Sequence, residues 1–246
     1  MIEEHIELPT AEGAMNTFVA YPDEGGPFPV VLFYMDAPGK REELHDMARR
    51  LASAGYFVVL PNLYYRHARE YFLKERTEVA MAEMFTLMRS LDAATTRCDT
   101  QAMLRFVDEH TNADSSRIGA VGYCMGGPFV VWAAVDFPDR FRSIASIHGA
   151  NMVTDDQDSP HRLAHKLPCE SYFACAEIDR WAPQSDIENL SLALAQGSAP
   201  HRIEWFPGAH HGFVFPKREG MYDQPSAERH WVRLHQLFGR TLRAAG

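Results

Sequence analysis

The sequence predicts an α/β fold with a mostly parallel central sheet and helices on both faces. Short, nearly continuous apolar runs such as 30–35 are typical of strands that are buried on both sides. Amphipathic stretches such as 41–54 separate these runs and are typical of helices packed on a sheet. The regular alternation of the two patterns favours parallel strands connected by helices.

Length and composition limit the class of protein. With 246 residues, of which 46% are hydrophobic and 23% charged, the chain suits one globular unit, and we expect residues 1–246 to form a single domain. The net charge of −9, with no cluster of Lys or Arg, argues against nucleic acid or an anionic membrane as a partner. The four cysteines have no disulfide or zinc-site spacing, and no apolar run is long enough to cross a membrane. We therefore expect a cytoplasmic protein.

The first third of the chain reads as a hairpin followed by a strand, a helix and a strand. Loose alternation over the first thirty residues ends in the turn cluster 21–27, which predicts a hairpin at an antiparallel edge. A buried strand at 30–35, a helix at 41–54 and another strand at 56–60 follow.

The remainder continues the same alternation, and the polar stretch 151–160 predicts a surface excursion. The predicted elements are helices at 79–91 and 100–110, a strand at 117–121, a helix at 126–136, strands at 144–147 and 171–176, a helix at 186–196, a strand at 201–206 and a last helix at 227–242.

The strongest local motif is the segment Gly122-Tyr123-Cys124-Met125-Gly126-Gly127, between a predicted strand and a predicted helix. It fits a nucleophile elbow, in which the nucleophile occupies a sharp turn and small residues at −2 and +2 let the backbone bend. Cys124 holds the nucleophile position, where the helix N-terminus favours its thiolate form.

Partners for this nucleophile should follow later strands, because open α/β sheets place their sites at the carboxyl ends of the strands. Asp179 follows the strand 171–176, and the pair His210-His211 follows the strand 201–206, which gives the order nucleophile, acid, base. Glu177 and Asp186 are alternative acids, and spacing alone does not choose between the two histidines.

These segments resemble the dienelactone hydrolase family, which has the α/β-hydrolase fold. The resemblance extends from about Leu8 to the last helix and is most specific at the elbow and at Gly208-Ala209-His210-His211-Gly212-Phe213. It implies a Cys-His-Asp triad made of Cys124, His211 and Asp179, and it favours His211 because that histidine precedes Gly-Phe.

Further groups are expected around the nucleophile. The family carries a Glu just after the first core strand, where it accepts a hydrogen bond from the thiol and helps to activate it; this sequence has the shorter Asp36. The backbone N–H groups of Ala37 and Met125 are the expected oxyanion donors.

The resemblance also bears on the substrate. In the family an Arg four residues after the catalytic His binds a substrate carboxylate, whereas this sequence has Phe215. Together with Trp181 and Tyr64, Phe215 favours a less charged acyl or lactone substrate. Arg66, Arg69 and Arg180 are candidate replacements for the missing Arg, and Arg66 and Arg69 fit a solvated surface equally well. His148, at the end of a predicted strand, either lines the site or is an ordinary strand-end histidine.

We therefore expect a hydrolase of carboxylic esters or lactones that works through a thioester on Cys124 and needs no metal or other cofactor. Its partner is a small-molecule substrate, and the chain forms either a monomer or a homodimer. Two alternatives use the same scaffold: an acyl-transfer enzyme with the same thiol, and a binding or sensor protein without catalysis.

Overall fold

The computed structural model describes residues 1–243, which belong to two compact units. The first comprises Met1–Ile118, and the second begins at Gly119. One strand, β5 (Ala113–Tyr123), starts in the first unit and ends in the second. No helix in the part of the chain that the structure describes is long and apolar enough to cross a membrane.

The first unit is built on strands in the order β1-β2-β4-β3. β1 and β2 are antiparallel, as are β2 and β4, whereas β3 and β4 are parallel. Its elements are β1 (Ile2–Thr10), β2 (Gly13–Tyr21), β3 (Phe28–Tyr34), α1 (Glu42–Ser53), β4 (Phe57–Pro61), α2 (Glu78–Arg89) and α3 (Ala93–Glu109).

The N-terminal hairpin exists, but the prediction that 21–27 closes it was wrong. The turn lies at residues 11 and 12, where β1 meets β2 and Thr10 pairs with Gly13. The cluster 21–27 instead connects β2 to β3, which are not neighbours because β4 lies between them. The chain does bend within residues 21–27. However, β2 pairs with β4, which lies much further along the chain, and not with the strand that follows this bend.

Helix α3 starts earlier than predicted, at Ala93 rather than at 100. A capping box sets this start: the Asp92 side chain accepts from the Thr95 backbone N–H, and the Thr95 hydroxyl accepts from the Asp92 backbone N–H. The capping residues were visible in the sequence, whereas the apolar periodicity becomes clear only about two turns further on.

The second unit carries strands in the order β5-β6-β7-β8, with β6, β7 and β8 mutually parallel. Its elements are α4 (Gly126–Asp136), β6 (Phe141–Ile147), the short α5 (Pro160–Leu163), β7 (Glu170–Ile178), α6 (Gln184–Leu194), β8 (His201–His210) and α7 (Gln224–Thr241). The helix predicted at 126–136 agrees with α4 at both ends, whereas α5 and the 3-10 turn Ala164–Lys166 that follows it were not predicted.

The candidate site residues of the second unit directly follow its strands. Cys124 follows β5, His148 follows β6, Asp179 follows β7 and His211 follows β8. Since strands β6 to β8 run parallel, the residues after them lie at one edge of the sheet.

Candidate active site

The turn from β5 to α4 is tight, and glycines make it possible. A Cβ on Gly122 would lie 1.9 Å from the carbonyl oxygen of Gly126, and one on Gly127 would lie 2.4 Å from the Cα of Gly149. Cys124, at the top of the turn, has a φ of 53°, in the left-handed region that a side chain rarely adopts. This geometry is that of a nucleophile elbow.

Cys124, His211 and Asp179 form one hydrogen-bonded chain. The Nε2 atom of His211 lies 3.0 Å from the Sγ atom of Cys124, and its Nδ1 atom lies 2.7 Å from Oδ2 of Asp179. The other carboxylate oxygen of Asp179 accepts a hydrogen bond of 2.8 Å from the backbone N–H of Trp181. The imidazole therefore has a fixed orientation between the thiol and the carboxylate.

The sequence left His210 open as an alternative base, and Glu177 and Asp186 as alternative acids, but their positions differ from those of His211 and Asp179. His210 is the last residue of β8 and is exposed, whereas its neighbour His211 contacts Cys124. The Glu177 carboxylate accepts a hydrogen bond from the backbone N–H of Gly208, and Asp186 is partly exposed in the first turn of α6. Only Asp179 among the three acids contacts His211.

Burial and charge set the electrostatics of the chain. Cys124 is 9% exposed and the Asp179 side chain 1%, so both groups are largely shielded from water. Burial lowers the pKa of His211, but the negative charge of the Cys124 thiolate and the hydrogen bond to Asp179 outweigh it and raise that pKa above its usual value. The site thus favours an imidazolium that is paired with a thiolate.

Backbone hydrogen bonds hold the nucleophile turn. The Cys124 N–H donates to the carbonyl of Ile147 at the end of β6, and the Cys124 carbonyl accepts from the N–H groups of Gly127 and Ala150. Met125 follows as the N-cap of α4, where helix N–H groups favour negative charge. Met125 is the residue whose N–H is expected to donate to the oxyanion.

His148 lies beside His211, with its ring centroid 4.9 Å away. It is 1% exposed, and neither ring nitrogen has a hydrogen-bond partner among residues 1–243. Burial, and then the positive charges of His211 and Arg218, lower its pKa well below the usual value. Sequence reasoning named this residue but had no signal for its unsatisfied ring.

The other predicted pocket residues of this unit differ in exposure. Phe215 is fully buried and packs on the rings of His148 and Tyr123, at centroid distances of 5.5 and 5.9 Å. A substrate does not reach it without rearrangement, so its predicted role as a contact residue is not supported by its position. Trp181 is partly exposed, and the Arg180 guanidinium stacks on its ring at 4.9 Å.

Asp36 belongs to the first unit and follows β3. It is fully buried, and both carboxylate oxygens accept hydrogen bonds from Arg41, at 2.5 and 3.2 Å. Any contact with a thiol has to compete with this ion pair. Sequence reasoning missed Arg41. Nearby, the Tyr64 hydroxyl donates to the carbonyl of Ala37 at 2.8 Å, which restrains the loop after β3.

Arg66 is engaged within its own unit. Its guanidinium donates to both carboxylate oxygens of the buried Asp99, at 3.0 and 2.7 Å, and also contacts Glu12. These ion pairs argue against the prediction that Arg66 binds a substrate carboxylate, because a ligand would have to displace Asp99.

Comparisons with known proteins match most of the chain. The sequence model described as "Dienelactone hydrolase family" matches residues 15–242. A protein of Synechocystis sp. named "Putative carboxymethylenebutenolidase" is 25% identical over 97% of this chain and 96% of its own.

Solved structures give the same result for the fold. A Klebsiella pneumoniae structure described as "Putative Dienelactone Hydrolase" aligns with a TM-score of 0.86 at 24% identity, over 97% of this chain and 98% of its own. A dienelactone hydrolase-like promiscuous phosphotriesterase from metagenomic libraries aligns with a TM-score of 0.82 at 18% identity, over 98% and 99%. The predicted α/β-hydrolase fold is confirmed.

Proposed function

Since the chain belongs to the dienelactone hydrolase family, we propose that it hydrolyses a carboxylic ester or lactone through a thioester on Cys124. The observation that carries this proposal is the continuous contact from Cys124 Sγ through the His211 ring to Asp179, at 3.0 and 2.7 Å. A thiol, a base and an orienting carboxylate in this arrangement are the requirements of nucleophilic acyl transfer.

Acylation begins from the thiolate of Cys124 and the imidazolium of His211. The thiolate attacks the substrate carbonyl carbon, and the electrons of the C=O bond move to oxygen. The N–H of Met125 donates to this oxyanion. When the oxyanion collapses, the bond between carbon and the leaving oxygen breaks, and His211 Nε2–H gives its proton to that oxygen. The products of this step are an alcohol and a thioester on Cys124, or one ring-opened molecule if the substrate is a lactone.

Deacylation uses the same groups in reverse. His211, now neutral, takes a proton from water as the oxygen of that water attacks the thioester carbon. Collapse of the second tetrahedral intermediate breaks the C–S bond, which releases the carboxylic acid and returns the thiolate. Asp179 keeps Nδ1–H of His211 directed toward itself throughout, so that Nε2 faces the sulfur.

Three roles in the proposal come from the sequence alone. Ala37 N–H is proposed as the second oxyanion donor, and Asp36 as the carboxylate that helps to activate the thiol. Asp36 would first have to release Arg41. Phe215 stands where the family has an Arg, so this position offers no positive charge to a substrate carboxylate, which supports an acyl group of low charge.

We also propose a cytoplasmic location. Its support is that Cys98, Cys124, Cys169 and Cys175 form no disulfide with one another, the state that a reducing compartment maintains.

Hydrolysis of a small aryl ester and of an unsaturated lactone tests the function. We expect turnover by the native protein and none above background with Cys124→Ala, while Cys169→Ala, which removes another buried thiol, keeps activity. Equal rates for the native protein and Cys124→Ala would refute the proposal. Acyl transfer to an added amine in preference to water would favour the acyl-transfer alternative, and an inert thiol without turnover would favour a binding scaffold.

A further inference from the structure

His148 combines complete burial with an unsatisfied polar ring. Its backbone is well anchored, since its N–H donates to the carbonyl of Ala174 at 2.7 Å, but its φ of 39° is in the left-handed region. The ring packs against aromatic neighbours, with Phe213 at a centroid distance of 5.6 Å. Aromatic packing supplies no hydrogen bond, and a buried polar group without a partner lowers stability. An apolar side chain would suit these neighbours better.

A small cavity is lined by both His148 and Asp179. It has a volume of about 10 Å³, and its lining includes His148, Ser146, Cys175 and Asp179. About this volume accommodates a single water molecule, provided that two to four polar groups face it. The remaining lining is mainly apolar, from β7 and α6.

Three residues of the lining, Ser146, Asp179 and His148, carry polar groups that can meet that requirement. The Ser146 hydroxyl is buried and makes a weak hydrogen bond of 3.9 Å to the sulfur of Met152. The Asp179 carboxylate accepts one hydrogen bond at each oxygen, from Trp181 and from His211, and each oxygen can accept another. His148 adds one donor and one acceptor as a neutral imidazole.

We propose that this cavity is a binding site for one water molecule that bridges a ring nitrogen of His148 and the Asp179 carboxylate, and that His148 is thereby a positioning residue of the triad. The water donates to Asp179 and pairs with His148, and Ser146 completes its coordination. This third contact restrains the carboxylate that orients His211. The role in catalysis depends on the proposed hydrolase function, whereas the water site does not.

The charge state of His148 is consistent with this role. Burial and the nearby charges of His211, Arg218 and His230 lower its pKa, so the ring stays neutral at the pH where the imidazolium of His211 forms. A neutral ring beside that imidazolium bonds to water without adding a second positive charge next to Asp179.

A crystal structure of the native protein at a resolution that orders buried waters tests the site directly. We expect one water peak within hydrogen-bond distance of a His148 ring nitrogen and of a carboxylate oxygen of Asp179. Continuous protein density that fills the cavity, or a cavity without such a peak, would overturn the proposal. This result does not depend on any substrate.

Variants test the positioning role. In His148→Phe the polar ring is lost, and we expect kcat to fall by about 10- to 100-fold with little change in KM, the size of effect that misplacement of a catalytic group produces. His148→Asn keeps a polar side chain that tolerates positive φ and should recover most of kcat. The matched control is His45→Phe, which removes another buried histidine with an unpaired Nε2 in the first unit and should leave kcat unchanged.

A kcat of His148→Phe equal to that of the native protein would refute the positioning role. If His148→Phe does not fold, His148→Asn and the water peak still decide: a native kcat for His148→Asn with no water in its crystal structure would also refute it. The pH profile of Cys124 alkylation by iodoacetamide separates this proposal from the function. A profile that differs between His148→Phe and the native protein supports the positioning role even in the absence of ester turnover.

Discussion

Two neighbouring histidines of the second unit have opposite environments. His211 and His148 each follow a strand of the same sheet, and their ring centroids are 4.9 Å apart. Both ring nitrogens of His211 contact a partner, Asp179 on one side and Cys124 on the other. Neither ring nitrogen of His148 has one among residues 1–243.

The contrast shows that partners, and not burial alone, decide the charge of a buried imidazole. Burial lowers the pKa of both rings, but only His211 has a thiolate and a carboxylate that reverse the direction. These opposite pKa shifts favour a protonated His211 ring beside a neutral His148 ring.

Removal of the paired imidazole should give the largest effect. We expect His211→Gln to lower kcat on the order of 10⁴-fold, less than the roughly 10⁶-fold loss in a serine protease because a thiol needs less help from a base. His210→Gln, which changes the exposed neighbour, is the control and should retain native kcat. Steady-state ester hydrolysis measures both, and comparable losses in the two variants would contradict the assignment.

Weakening the partner of His211 should give the next largest effect. Asp179→Asn keeps the shape but loses the negative charge, so the imidazole loses its fixed tautomer. We expect kcat to fall by about 10²- to 10³-fold, less than the roughly 10⁴-fold loss in a serine protease, since the thiol is more acidic than a hydroxyl. Asp186→Asn is the matched control, and a loss of similar size there would contradict the role of Asp179.

Both environments depend on the close approach of the elbow to the loop after β6. A Cβ on Gly127 would meet Gly149 Cα at 2.4 Å and the Ser146 hydroxyl at 2.6 Å, so Gly127→Ala should destabilise the fold by about 1–3 kcal/mol. Gly239→Ala, in the open helix α7, should stabilise it by about 0.5–1 kcal/mol. Urea unfolding compares the two, and equal free energies of unfolding would contradict this packing.

The smallest effect concerns stability at acid pH. Because the folded protein holds His148 neutral while the unfolded chain binds a proton below about pH 6.5, stability falls below that pH by up to about 1.4 kcal/mol per pH unit. His148→Asn should flatten this slope. His211 acts in the opposite sense: its raised pKa gives stability that is complete below about pH 6.5 and is lost as pH rises through the raised value. An unchanged slope in His148→Asn would contradict the neutral state of His148.

Most of the fold could be predicted from local pattern. Helix α4 and the buried strands have strong periodicity, so their positions agree with the sequence within a few residues. The N-terminal hairpin shows the limit: two turn signals occur at residues 11–12 and 21–27, and only the pairing of β2 with β4 shows which of them closes a hairpin. That pairing joins residues about forty positions apart and is invisible in a local window.

In the candidate site, too, some features could be predicted from local sequence and others could not. The elbow and the chain order of Cys124, Asp179 and His211 follow from motif and strand placement, and the structure brings these side chains into contact. The choice of His211 over His210 came from family resemblance, because adjacent residues share the same spacing. The ion pair of Asp36 with Arg41 and the unsatisfied ring of His148 depend on tertiary packing, for which the sequence has no local signal.

Capture of the acyl-enzyme tests the assignment of the nucleophile most directly. The native protein is mixed with an activated aryl ester, quenched in acid during turnover, digested and analysed by mass spectrometry. We expect one acyl group on the peptide that contains Cys124, and its absence in Cys124→Ala. Turnover with the acyl group on another residue, or with an unmodified Cys124 peptide throughout, would contradict the thioester mechanism.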